Sequence, residues 1–156
     1  MGIDAKARTC WWFDGKAREA VEFYVSLLPD SKIDQEFAAH DEEPLIIEFA
    51  LAGAPMMTLN GGPMFKQTEA ASISILTEDQ AETDRLWSAL TADGGEESMC
   101  GWLKDRYGVS WQIVPKRLVE LINHDDAEAA GRARDAMMQM KKINIDQLEA
   151  AFDQRL

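Results

Sequence analysis

The chain repeats its own element order, and this repeat constrains the fold more than any other feature. The helical positions Phe23, Tyr24 and Leu27 recur as Leu86, Trp87 and Leu90, each 63 residues later. Each helix follows one predicted strand and precedes three more. In the first half the strands are residues 8–13, 32–38, 45–51 and 55–60. Asp14 is the expected N-cap of a helix reaching Leu28, which Pro29 ends. The acidic loop Asp41-Glu42-Glu43-Pro44 parts the second and third strands, and Gly61-Gly62-Pro63 breaks the chain. In the second half residues 71–76 alternate strictly, Ser72 and Ser74 against Ile73 and Ile75, as a two-faced strand does. Thr77-Glu78-Asp79-Gln80 fits a capping box, and Gly94-Gly95 closes the helix. A strand at 97–100 and a hairpin complete this copy.

That hairpin, CGWLKDRYGVSWQIVP at residues 100–115, is the clearest local signal. Asp105-Arg106-Tyr107-Gly108 reads as its turn, with Gly108 where a side chain would clash at positive φ. Beyond it Ser110 and Gln112 alternate with Trp111 and Ile113, so one face is polar and the other belongs to a core. The cluster Lys104-Asp105-Arg106 is expected to be solvated.

From Pro115 the pattern turns helical. Leu118, Val119, Leu121 and Ile122 suggest a short helix. Asp126 is placed to cap a longer one through Met140, with Ala129, Ala133, Ala136, Met137 and Met140 on one face. Residues 145–152 suggest a last helix. The Met-rich stripe is expected to pack against the sheets or a second copy of the chain. The fold class is therefore α+β, with tandem βαβββ modules and a C-terminal helical tail. Residues 1–156 form a single domain, with modules at 8–63 and 70–115 and the tail at 116–156.

Charge narrows the partners. Acidic residues outnumber basic ones 28 to 16, a formal charge of −12, so phosphate backbones are repelled and nucleic acid is an unfit partner. No apolar run has the length of a membrane span, and MGIDAKARTC lacks the apolar core of a signal peptide. Cys10 and Cys100 make no disulfide framework. A soluble, cytoplasmic protein is expected.

The segments WFDGKAREAVEFYVSLLPDSKI, LNGGP, QAETDRLWSAL and CGWLKDRYGVSWQIVP resemble the PhnB-like branch of the vicinal oxygen chelate superfamily. That superfamily includes glyoxalase I and bleomycin-resistance proteins, and the branch often carries the label 3-demethylubiquinone-9 3-methyltransferase. The resemblance spans nearly the whole chain and implies the tandem βαβββ fold and a homodimer. The Gly pairs here do not form the Gly-x-Gly-x-x-Gly loop of a Rossmann cofactor site. Metal-dependent members carry His or Glu at four pocket points. Counting along each half puts these points at Thr9, Thr58 (or Met57), Ser72 and Gln112, none a strong ligand for a divalent ion. No metal and no cofactor are expected. His40 and His124 fall in a loop and in the tail, as surface residues.

Alternation along the strands then gives a candidate site. Thr9, Trp11, Ser72, Ser74, Ser110 and Gln112 are expected to line one concave cleft with Thr58, while Cys10, Ile73, Trp111 and Ile113 face the helix-packed core. Phe65 is placed to close over that face. Neutral polar groups among rings suit a planar, weakly polar small-molecule ligand. Cys100, with Lys104 and Arg106 nearby in sequence, is the candidate for a reactive group. Two functions stay open. One is a metal-free small-molecule-binding protein. The other is an enzyme: a metal-assisted lyase or isomerase, the methyltransferase of the branch label, or one acting through Cys100. A dimer whose cleft is filled by its own side chains is a third reading.

Overall fold

The computed structural model describes residues 5–38 and 43–155, and the expectations for His40 and for Asp41-Glu42 lie outside them. The chain forms two compact units, one ending at Gln67 and the other starting at Thr68.

The first unit contains β1 (Thr9–Phe13), α1 (Ala17–Leu27), β2 (Lys32–Phe37), β3 (Ile46–Leu51) and β4 (Ala54–Asn60). Its sheet runs in the order β1-β4-β3-β2, with β1 and β4 parallel and the remaining pairs antiparallel. The second unit repeats this with β5 (Ser72–Thr77), α2 (Gln80–Thr91), β6 (Glu96–Glu97), β7 (Trp102–Lys104) and β8 (Ser110–Pro115), in the order β5-β8-β7-β6. Here β5 and β8 are the parallel pair. Both helices bury the stripe that the repeat marks: Tyr24 and Leu27 in α1, Leu86, Trp87 and Leu90 in α2.

The helix caps differ from the sequence expectation. Lys16, not Asp14, precedes α1 and gives no side-chain cap. The free N–H groups of the first turn are met from elsewhere: Ala17 N donates to Asn60 Oδ1 of β4 (3.1 Å) and Arg18 N to Glu43 Oε1 (3.0 Å). At α2 the cap is Asp79, which accepts from Glu82 N at 2.9 Å. Thr77 instead ends β5 fully buried, its Oγ1 2.7 Å from Thr83 Oγ1. The strand expected at 97–100 is only Glu96–Glu97, because Cys100 turns the chain at φ 59 into Gly101.

The tail folds as α3 (Lys116–Ile122), α4 (Ala127–Met137) and α5 (Ile145–Phe152). Asp126 caps α4 through Ala129 N, but the helix stops at Met137 rather than Met140. Leu118, Leu121, Ala133, Met140, Ile143 and Leu148 make a core of their own, with Val114 of β8 packed against it. Polar contacts fix the tail to the second unit. Cys100 N donates to Met140 O (2.7 Å) and Gly101 N to Lys141 O (2.8 Å). The Gln80 amide donates to Ile143 O and accepts from Ile145 N. Among the described residues no helix is long and apolar enough to cross a membrane.

Candidate functional site

Strand register decides which residues share a face. In the second unit the strand faces are those that alternation predicts. Ser72 pairs with Ser110 and Ser74 with Gln112 across β5 and β8, and Gln112 pairs with Trp102 and Ser110 with Lys104 across β7. These six residues therefore stand on one face. The opposite face holds Ile73, Leu103, Trp111 and Ile113, all buried, as a helix-covered face requires. Gln112 Nε2 donates to Ser72 Oγ at 2.9 Å, so two of the expected site residues hold each other in place. Ser74 is exposed beside them.

In the first unit the faces are the reverse of the expectation. Trp11 is 5% exposed and Thr58, its partner in β4, is fully buried beside Ile47. Asn60, which receives the α1 N-terminus, pairs with Phe13 on this same face. Trp11 and Thr58 thus belong to the helix-packed core, and Thr9 is the exposed end of that row. The open face carries Cys10, Trp12, Met57 and Glu48 instead. The cause is one residue. Three residues link β1 to α1, two link β5 to α2, and the longer link holds Gly15 at φ +79. Counting back from the helices at a fixed offset misses this insertion, and a slip of one residue exchanges the faces of a strand. Trp12 is held on the open face by Gly62 O, which accepts from its Nε1 (2.8 Å), and by an edge contact with Phe65 at 4.8 Å.

Cys10 is therefore an exposed residue, not a core one, although partial burial of its sulfur pushes the thiol above its ordinary range. A raised pKa leaves little thiolate at neutral pH, and the thiolate is the nucleophile. Alkylation by iodoacetamide, followed by peptide mass mapping, is expected to be slow at pH 7 and to keep accelerating as pH rises beyond the ordinary thiol range. A Cys10 that reacts only after unfolding would return it to the core.

Cys100 lies in the turn before β7, half-buried, with its Sγ 3.7 Å from Met138 Sδ. The cations near it in sequence are engaged elsewhere: Lys104 with Glu69 (2.8 Å) and Arg106 with Asp93 (3.3 Å). His124 is exposed, and its Nδ1 accepts from Asp126 N. Asp105 departs furthest from expectation. Rather than being solvated it is 2% exposed and holds the hairpin. Its Oδ1 accepts from Tyr107 N and Val109 N, and its Oδ2 from Trp111 Nε1 at 2.8 Å.

The donors at the four pocket points do not suit a hard divalent ion. Thr9 and Thr58 belong to the helix-packed row, Cys10 and Met57 on the open face offer sulfur, and Ser72 and Gln112 are neutral and bonded to each other. Among the described residues no three His, Cys, Asp or Glu side chains gather as a metal would need.

The second unit holds a feature that the sequence reading missed. A cavity of about 120 Å³ opens beside β6, β7 and β8, lined by Trp102, Lys104, Ser110, Glu69 and the Glu96-Glu97-Ser98 segment. Ser110 is 1% exposed, and its hydroxyl has no hydrogen-bond partner among the described residues. A buried unpaired hydroxyl is costly and points to an unmet role. Lys104 Nζ donates to Glu69, which holds that carboxyl below the usual range, and Glu69, with Glu96 adding to its effect, raises Lys104. Alternation of Trp102 and Lys104 about Leu103 was the available signal. The Glu96 edge strand was too short to read.

A sequence profile of the family described as 3-demethylubiquinone-9 3-methyltransferase matches residues 5–114. The chain is similar to a solved structure from Bacillus cereus, described as a putative 3-demethylubiquinone-9 3-methyltransferase, PhnB protein. The identity is 30% and the TM-score 0.66, over 71% of this chain and 99% of that one. Protein PA1353 from Pseudomonas aeruginosa shares the fold at 21% identity and TM-score 0.58, over 72% and 98%. The fosfomycin resistance protein FosX from Listeria monocytogenes, solved as a mutant with Mn(II) and dihydroxypropylphosphonic acid, does so at 12% and 0.52, over 72% and 92%. No curated protein matches the chain.

Proposed function

This chain belongs to the PhnB-like 3-demethylubiquinone-9 3-methyltransferase family, within the vicinal oxygen chelate superfamily, and from that premise we propose that it is a small-molecule-binding protein. The ligand site is the open face of the second βαβββ module, centred on the cavity at Ser110. One observation carries this reading: Ser110, whose hydroxyl is buried and without a partner among the described residues, lines a cavity of about 120 Å³ together with Trp102. An apolar cavity of about 150 Å³ takes up benzene, so this volume suits a single-ring group. Trp102 supplies an aromatic wall, and Ser110 a hydroxyl that both donates and accepts. The bonded pair Ser72–Gln112 extends the polar strip next to it. Binding needs none of the metal ligands that this chain lacks at the pocket points.

Ser110→Ala tests the assignment, because a site residue and a structural residue respond in opposite ways. Removing an unpaired buried hydroxyl is expected to leave the free protein as stable or to raise its stability, by up to about 1 kcal/mol. The same change is expected to weaken a single-ring ligand by about 1 kcal/mol, roughly fivefold in Kd. Thermal melts give the first quantity. The shift of the Trp102 indole N–H resonance during titration with benzylamine or benzyl alcohol gives the second. A destabilised Ser110→Ala protein, or one that binds as the wild type does, contradicts the site.

A further inference from the structure

We propose that the Ser110 cavity selects an organic cation, a one-ring or similarly small ligand bearing an ammonium group. This rests on the reading that the cavity is the ligand site, and it replaces the neutral ligand that the sequence suggested. The neutral expectation came from strand residues alone. The structure adds Glu69 and Glu96 to the cavity wall, two carboxylates against the single ammonium of Lys104.

Lys104 does not offset both. Its Nζ is bound to Glu69 at 2.8 Å and also lies in the field of Glu96, so one ammonium faces two carboxylates. Glu96 stands across from Lys104 in the β6–β7 register and shares its open face, whereas Glu97 pairs with Leu103 and accepts from Trp87 Nε1 of α2 at 2.7 Å, which puts its carboxylate on the helix-covered face. The wall therefore keeps an excess of one negative charge.

Carboxylates at a surface edge would not by themselves mark a site. The independent observation is Ser110, 1% exposed and unpaired, on the same cavity. Its oxygen accepts from an ammonium N–H, which the carboxylates cannot satisfy from their side alone. Trp102 adds a ring face that attracts cations. The formal charge of −12 acts over longer range by raising the local concentration of any cation and repelling anions.

The experiment compares three probes of one size on the full chain: benzylamine, benzyl alcohol and benzoate, each read by the Trp102 indole resonance. A fourth arm adds magnesium alone. Benzylamine is expected to bind at least tenfold more tightly than benzyl alcohol, with no saturable shift from benzoate. Glu96→Gln is expected to weaken benzylamine fivefold or more and to leave benzyl alcohol unchanged. Raising salt is expected to weaken benzylamine alone. If benzyl alcohol binds as tightly as benzylamine and Ser110→Ala weakens it, the cavity remains the ligand site and the cation assignment is overturned. If magnesium shifts Trp102 and displaces benzylamine, the carboxylates serve an inorganic ion and the assignment is again overturned. If no probe shifts Trp102, the site and the assignment both fail.

Discussion

Trp111→Ala is expected to lower the unfolding free energy by about 3–5 kcal/mol, the cost of deleting a fully buried large aromatic side chain. Trp111 is 0% exposed, in the middle of β8, between Ile73 of β5 and Leu103 of β7. The indole also gives a hydrogen bond to the buried carboxylate of Asp105, which the alanine variant leaves with one acceptor unmet. Urea denaturation followed by circular dichroism measures the effect. Gln112→Ala, the neighbour on the open face, is the comparison and is expected to unfold close to wild type. If Gln112→Ala were the more destabilised of the two, the faces of β8 would be exchanged.

The second large effect is Asp105→Ala, expected to cost about 3 kcal/mol, near 1 kcal/mol for each of three donors left without an acceptor. Those donors are Tyr107 N, Val109 N and Trp111 Nε1, at 2.8, 3.0 and 2.8 Å. A carboxylate that turns back onto its own loop in this way sets the geometry of the turn, as Asp does at the start of many turns. Asp105→Asn is expected to cost less. Its Oδ1 still accepts from the two backbone N–H groups, while its amide N–H₂ faces the Trp111 N–H as donor to donor. Because Asp105 and Trp111 share a bond, the double alanine variant should lose less than the two single losses added. Additive losses would mean that the bond contributes nothing.

These two residues also show what the sequence makes legible. The period-2 alternation of Ser110-Trp111-Gln112-Ile113 is a local signal, and the structure keeps both its faces. The element order, the helix stripes and the tail helix at Ile145–Phe152 follow from equally local patterns. Asp105 does not, since a carboxylate between Lys and Arg reads as solvated until the turn brings three donors onto it. The faces of β1 fail for a different reason. Their assignment depended on the length of a link, and the single extra residue near Gly15 changes parity without changing composition. The cavity at Ser110 was hidden because its acidic wall comes from Glu69, outside the strands, and from Glu96 in a strand of two residues. Non-local contacts of this kind leave no periodicity to read.

If the Ser110 cavity is where this protein takes its ligand, a crystal structure of the full chain grown with benzylamine will show it there. The ring is expected against Trp102 and the ammonium nitrogen within hydrogen-bond distance of Ser110 Oγ, on the side of Glu96. A benzylamine molecule bound elsewhere on the chain, with the Ser110 hydroxyl still unpaired, would contradict it.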